Sequence, residues 1–441
     1  MARKPGASSW LSEYQRLHTT KKLRPWATLN VHADEVLHIT FSHCGTYIVT
    51  SSRDKSVMIW NISKFASRSV IIVKKLSFEE WLFVQLSIFS EDDKFLLVSG
   101  VCERGNITGE VQVFSFPDCK FLKRVPCMPY DCFGAWLTNT EFLVGDFDIA
   151  SHSACVTLHS VYDYVPSTKV LKHPPSNIRY PFNIKMFEVC TNPENNNEKL
   201  FFYLVSETTM FAHVLSVATI VCKSLSVGTS EQDGNIPFNS SGLESTDESA
   251  NEMFYETSSN SSSHLDHELK EYEGKFIKKV DLKASVIGVV ADQTSRKIFL
   301  NCRKWLDKPI QANGVYQIAD TIELRIFDFD LNLLRVLSEG NAVTPCDKFF
   351  IIHLSATPDY IVSGDEIGSI HIYDAHYNTH ICKLDGHKQV VNAAAISPAN
   401  PRFMCTVSDD FSIKFWDLPS SKNDNSGFNI LKSLRAAAIQ N

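Results

Sequence analysis

The sequence predicts an all-β fold, a closed seven-bladed propeller preceded by one short helix. Apolar–polar alternation broken by turn residues returns in seven packets along the chain. The first and last packets share one layout of His, Thr, Asp and Trp. Of 441 residues 44% are hydrophobic and 11% aromatic, ample for a large core, and β rings of this length fold as one unit.

The elements follow in order. Within "SSWLSEYQRLHTTKKLRPW", Trp10, Tyr14 and Leu17 recur at helical spacing after a serine cap. Residues 1–25 are therefore a helix and linker, and 26–420 the propeller. The packets are His32–Trp60, Trp81–Phe116, Pro129–Val161, Tyr180–Cys222, Phe276–Asp330, Asp347–Asp374 and His387–Asp417. Their spacing is irregular, but the unit matches the roughly 40–45 residues of a WD-type blade. "SHCGTY", "SEDDKF" and "SPANPRF" supply hairpin turns in three of them. Trp26–Asn30 is expected to complete the last blade beside "SIKFWD", with Phe428–Leu434 as the alternative closing strand. Residues 228–268 are dominated by Ser, Thr, Asn, Asp and Glu, cannot bury enough apolar surface to order, and read as a disordered acidic insertion. Ser245, Thr246 and Ser249 lie there among acids as candidate phosphorylation sites. Residues 421–441 form a tail.

Composition excludes several functions. The net charge of −7 leaves no basic stripe for nucleic acid. Twelve cysteines are scattered singly without a CxxC pair, which predicts reduced thiols in a cytoplasmic protein. No apolar stretch follows the basic first residues, so no secretory signal is expected. Phe201–Cys222 is apolar enough to suggest a membrane span, but it contains Glu207 and His213 and is expected to form two strands. No GxSxG, HExxH, Walker-A or Rossmann pattern appears. Gly100–Glu110 is glycine-rich yet joins two strands, and "HLDHE" at His264–Glu268 falls in the low-complexity insertion. No catalytic residue, metal or cofactor is expected.

The repeated constellation is His32, Thr50, Asp54 and Trp60, then His387, Thr406, Asp410 and Trp416. In both, Thr stands four residues before Asp, and Asp six before Trp. A buried indole N–H needs an acceptor, which a hydroxyl on the neighbouring strand supplies. That hydroxyl can donate to the imidazole, and the imidazole to a carboxylate in the turn. Such a network is rigidifying when complete and costly when broken. The residue types also suit a catalytic triad, but a triad needs an exposed nucleophile beside an oxyanion hole. Duplication at both ends of one chain fits a repeating scaffold instead.

These blocks resemble the F-box/WD-repeat-containing protein 5 family of WD40 propellers. The resemblance rests on "SSWLSEYQRLHTT", "DEVLHITFSHCGTYIVTSSRDKSVMIW", "FSEDDKFLLVSGV", "PYDCFGAWLTNTEFLVGD", "IELRIFDFDLNLLRVL" and "TPCDKFFIIHLSATPDYIVSGDEIGSIHIYDAHYN". It fades between about His152 and Val280. It implies a non-catalytic substrate receptor of a Skp1–cullin–F-box ubiquitin ligase, with protein substrates held on the propeller face. The alternative is a WD40 scaffold that never meets a ligase. No F-box precedes Trp10, so docking on Skp1 and cullin is expected only where a longer form supplies one. "WNIS", "YDAH" and "WDLP" lack the arginine that other propellers use to reach a cullin-4 adaptor. In the sixth packet Tyr373 and Ile367 replace Trp and Asp while Ser363 is retained, which predicts a looser blade.

Propellers bind on the rim formed by the loops before the first strand and between the second and third. By position, Glu35, Arg53, Glu366, Gln389 and Asp409 are the candidate partner-binding residues, with Arg53 the expected anchor.

Overall fold

The computed structural model describes residues 3, 4, 7, 9–63, 70–127, 133–148, 150, 151, 153–162, 167–173, 184–207, 212–224, 270–309, 316–343 and 351–418. They form one helix, α1 (Trp10–Thr20), and seven antiparallel sheets. Blade 1 comprises Val36–Phe41, Tyr47–Ser52, Ser56–Asn61 and Ile71–Ser77. Blade 2 comprises Trp81–Phe89, Phe95–Arg104, Asn106–Ser115 and Phe121–Cys127, and blade 3 Gly134–Trp136, Glu141–Asp148, Ser153–Ser160 and Thr168–Lys172. Blade 4 comprises Ile184–Thr191, Glu198–Val205, Val214–Ser224 and Lys270–Asp281. Blade 5 is built on Ala284–Asp292, Lys297–Pro309, Thr321–Asp328 and Leu333–Val343, with Tyr316–Ile318 added against its second strand. Blade 6 comprises Ser355–Ala356, Tyr360–Gly364, Ser369–Asp374 and Thr379–Asp385.

Blade 7 closes the ring. Its strands Val391–Ile396, Phe403–Ser408 and Ile413–Asp417 accept Ala27–Leu29 from the start of the chain. The register is Ala27 to Phe415, Thr28 to Lys414 and Leu29 to Ile413. The alternative closing strand Phe428–Leu434 and the 421–441 tail lie outside the described residues.

The core is a ring of packings between neighbouring sheets. Val36, Ile39 and Phe41 of blade 1 meet Ala393, Cys405 and Phe415 of blade 7. Val49 and Ile59 meet Trp81 and Val98 across the blade 1–2 boundary, and Leu97 and Val113 meet Phe142 and Val144 across the next. Burying apolar area on both sheet faces stabilises by about 25 cal/mol per Å² and explains why the inner strands read as near-continuous hydrophobic runs. In the first "SHCGTY" turn, Gly45 has φ +68°, and a Cβ there would stand 2.5 Å from Ala399 Cβ, so only glycine fits.

Two expectations about the fold need correction. Lys270–Asp281, with Phe276 in it, is the outer strand of blade 4, so blade 5 begins at Ala284 rather than Phe276. The 228–268 segment lies outside the described residues, but its flanks Ser224 and Lys270 are register partners, which places it inside blade 4. Helix α1 has the expected Ser9 cap, with Ser9 and Ser12 in a reciprocal capping box. Its buried face, however, is polar. Glu13, Arg16 and Thr20 are buried, whereas Trp10 and Tyr14 are 55% and 66% exposed. Phe201–Cys222 spans two strands, and among the described residues no helix is long and apolar enough to cross a membrane. Ten of the twelve cysteines are described, all of them free.

Candidate protein-docking site

The repeated constellations form two parallel relays. In blade 1, Trp60 Nε1 donates to Thr50 Oγ1 at 3.1 Å, and Thr50 Oγ1 lies 2.8 Å from His32 Nε2. His32 Nδ1 then lies 2.9 Å from Asp54 Oδ2, which also accepts Ala33 N at 3.1 Å. In blade 7, Trp416 Nε1 donates to Thr406 Oγ1 at 3.0 Å and Thr406 Oγ1 lies 2.9 Å from His387 Nε2. His387 Nδ1 is 3.1 Å from both Asp410 oxygens. Each indole uses the threonine as acceptor, so the threonine O–H is left to donate to Nε2. That arrangement assigns the remaining imidazole proton to Nδ1, facing the aspartate.

In blade 7 the electrostatics agree with a neutral imidazole. Burial lowers the His387 pKa, outweighing the upward pull of Asp410. Burial alone would raise Asp54 and Asp410. Hydrogen bonds from the imidazoles, from Ser56 or Ser412, and from Ala33 or Lys388 outweigh it and hold both carboxyls well below the ordinary range. Both turns continue through a left-handed residue, Lys55 at φ 64° and Phe411 at φ 65°. The carboxylate accepts the next backbone N–H at 3.0 Å in each, from Ser56 and Ser412. With Thr50 and Thr406 fully buried, neither hydroxyl is placed as a nucleophile.

Other blades carry altered relays that the sequence pattern did not disclose. In blade 4, His173 Nδ1 meets Tyr203 Oη at 3.1 Å and Nε2 meets Glu207 Oε1 at 3.0 Å. Tyr203 and Glu207 keep the four-residue spacing of Thr50 and Asp54 with larger side chains, and that spacing was the available signal. In blade 2, Trp81 Nε1 donates to Glu110 at 3.2 Å, and Arg124 pairs with the same carboxylate at 2.7 Å. In blade 6 the turn carboxylate is Asp365, two residues before Ile367. It accepts Ser369 N at 2.7 Å and meets His371 Nε2 at 3.0 Å, all of them buried. The sixth blade thus lacks the indole relay but contains a second kind.

Arg16 is the charged tie between helix α1 and blade 6, beside the packing of Leu17 and the contact of Cys382 with Thr20. Arg16 reaches Glu13 at 2.6 Å, Asp374 by a short ion pair, and the Tyr360 ring at 4.9 Å. Desolvation opposes the guanidinium's charge, but Glu13, Tyr360 and Asp374 together raise its pKa further.

The rim residues divide. Arg53 is exposed and paired with Glu35 at 2.9 Å. Asp409 is buried beside them and accepts Asn392 Nδ2 at 2.6 Å, while the same amide donates to Val36 O across the blade 7–1 junction. Burial pushes Asp409 up to about 6, and Glu35 adds to it. Gln389 is exposed on the adjacent loop. Glu366 points inward, its side chain 3% exposed and 4.0 Å from Arg303, so Ile367 is the exposed residue of that turn. The structure therefore brings Glu35, Arg53, Gln389 and Asp409 together at one junction and turns Glu366 away from the surface.

The comparisons with known proteins fit this architecture. The WD domain, G-beta repeat family matches residues 23–61 and 378–417, the two blades with complete relays. F-box/WD repeat-containing protein 5 of Homo sapiens is 27% identical over 497 residues, covering 95% of this chain and 85% of that protein. Its Mus musculus counterpart is 25% identical over 500 residues, covering 95% and 84%. DNA damage-binding protein 2 of Mus musculus is 30% identical over 103 residues, 23% of either chain. The chain is a seven-bladed propeller with two segments that match the WD domain, G-beta repeat family, and its similarity to F-box/WD repeat-containing protein 5 extends along 95% of its length.

Proposed function

We propose that this protein is a non-catalytic, cytoplasmic substrate-recognition subunit of a Skp1–cullin–F-box ubiquitin ligase. It would hold other proteins on its propeller so that they are ubiquitinated and degraded. The observation that carries this reading is the extent of the similarity. It runs through 95% of the chain and is not confined to the two matched repeats. The polar rim at the blade 7–1 junction suits a peptide surface, with Arg53 as its anchor. The clamp through Arg16 supports the same reading, because it gives α1 one orientation relative to that platform.

The test is purification from cells with the proteasome inhibited. Skp1 and cullin should co-purify, and captured proteins should carry ubiquitin that an Arg53→Glu, Glu35→Lys variant no longer accumulates. Captured proteins with unchanged lifetimes, and no Skp1, would instead make this chain a scaffold for assembly.

A further inference from the structure

The inner strands enclose an axial cavity of about 350 Å³, within the size range of ligand sites. Its wall mixes apolar and polar groups, with Phe41, Leu86, Phe133, Phe187 and Ile396 beside His38, Thr40, His353 and Ser355. It reaches the surface beside His43 and Pro398, both in turns between the first and second strands of their blades. Its mouth therefore lies on the face opposite the relay turns. Among the described residues one carboxyl lines it, that of Glu188 on the inner strand of blade 4. No hydrogen bond or ion pair reaches that carboxyl from the described residues, and burial alone perturbs it. Glu188 is enclosed by protein yet keeps some accessible surface, as a side chain facing a cavity does. An enclosed acid without a protein partner leaves its oxygens open to a cationic donor brought by a ligand.

We propose that this cavity receives an arginine side chain presented by a partner protein, its guanidinium on Glu188 and its methylene stem along the apolar residues of the wall. A flat cation on an aliphatic stem matches a wall in which Phe41, Phe133 and Phe187 stand with one carboxylate. Lysine fits less well, because burial drives an ammonium to lose its proton while a guanidinium stays charged. The site differs from the rim cluster, so the inference holds whether or not a ligase is attached.

Binding is coupled to protons. Burial pushes Glu188 up to about 8, and a permanent cation beside it favours the ionised form, so binding expels a proton. The other titratable groups lining the cavity do not compete. Burial lowers His38 and His353 and keeps them neutral, and His43 at the mouth is held by Asp93 at 3.0 Å. No Lys or Arg lines the cavity among the described residues. Affinity should rise with pH toward about 8 and level off above it.

The experiment is titration calorimetry of the full chain with a short acetylated, amidated peptide carrying one arginine. Its citrulline and lysine counterparts and free L-arginine are the comparisons. The arginine peptide should bind about tenfold or more tighter than each of the others. Glu188→Gln should abolish that preference and the pH dependence, without lowering the thermal midpoint, since it removes an unpaired buried acid. No binding at millimolar peptide, or equal binding of the citrulline or lysine peptide, would overturn the proposal. So would a preference that survives in Glu188→Gln, or free arginine matching the peptide.

Discussion

Replacing Asp54 with alanine tests the relay most directly. Asp54 accepts four hydrogen bonds, from His32 Nδ1 at 2.9 Å, Ala33 N at 3.1 Å, Ser56 N at 3.0 Å and Ser56 Oγ at 2.5 Å. His32 and Ser56 are buried, so water cannot replace the lost acceptor for either. Ala33 is exposed, so its N–H rehydrates at little cost. A hydrogen bond to a charged group is worth about 1.5–3 kcal/mol. Two buried losses, partly relaxed, give a destabilisation of about 3–4 kcal/mol, a large share of a typical 5–15 kcal/mol. Urea unfolding followed by tryptophan fluorescence measures it as a lowered midpoint. A further signature is pH. The Asp54 carboxyl is held below its unfolded value of about 3.9, so its contribution is complete above that value and is lost as pH falls through the folded one. The wild type should therefore lose stability below pH about 4 more steeply than the alanine variant. A shift smaller than about 0.5 kcal/mol, or identical acid profiles, would refute the relay as a source of stability.

Other expectations follow from the same geometry. Thr406→Val and Trp416→Phe break one chain of bonds, so a double-mutant cycle by urea unfolding should show coupling of about 1 kcal/mol or more. Arg16→Met strands the buried Glu13 and Asp374 and should cost about 3–5 kcal/mol, with α1 gaining a cleavage in limited proteolysis that the wild type lacks. Asp409 has a raised folded pKa of about 6, so its ionisation destabilises as pH rises through that value. Asp409→Asn should unfold later than wild type above pH about 6, and no later below pH about 4.

The ring was legible because strand periodicity is local and the relay residues sit at fixed spacings. His32 to Trp60 and His387 to Trp416 share the Thr–Asp and Asp–Trp spacings, and their bonds have the order the residue types dictate. What could not be seen was distant. The outer strand of blade 4 is separated from its partner by the stretch between Ser224 and Lys270, so Phe276 looked like the start of a new packet. The helical spacing of Trp10 and Tyr14 identified α1, yet the face that packs was decided by Asp374, 358 residues away from Arg16. Glu366 was placed on the rim by its turn position, while Arg303 on another blade draws it inward. Glu188 gave no signal, because only the assembled ring creates the cavity it faces.

The distribution of relays has its own logic. The two complete sets stand in blades 7 and 1, adjacent sheets that meet where the chain closes on itself. The closing strand contributes three register pairs, with Trp26 N donating to Phe415 O at 2.9 Å and the two rings 5.3 Å apart. So short a strand gains from rigid neighbours, and an opened ring would expose sheet edges. Elsewhere each outer strand follows its partner through a covalent connection. There the chemistry has varied, with Glu110, Tyr203 with Glu207, and Asp365 in place of the full set. Loss of an indole donor at Trp416 should therefore open the ring, whereas its loss at Trp81 should disturb one blade alone.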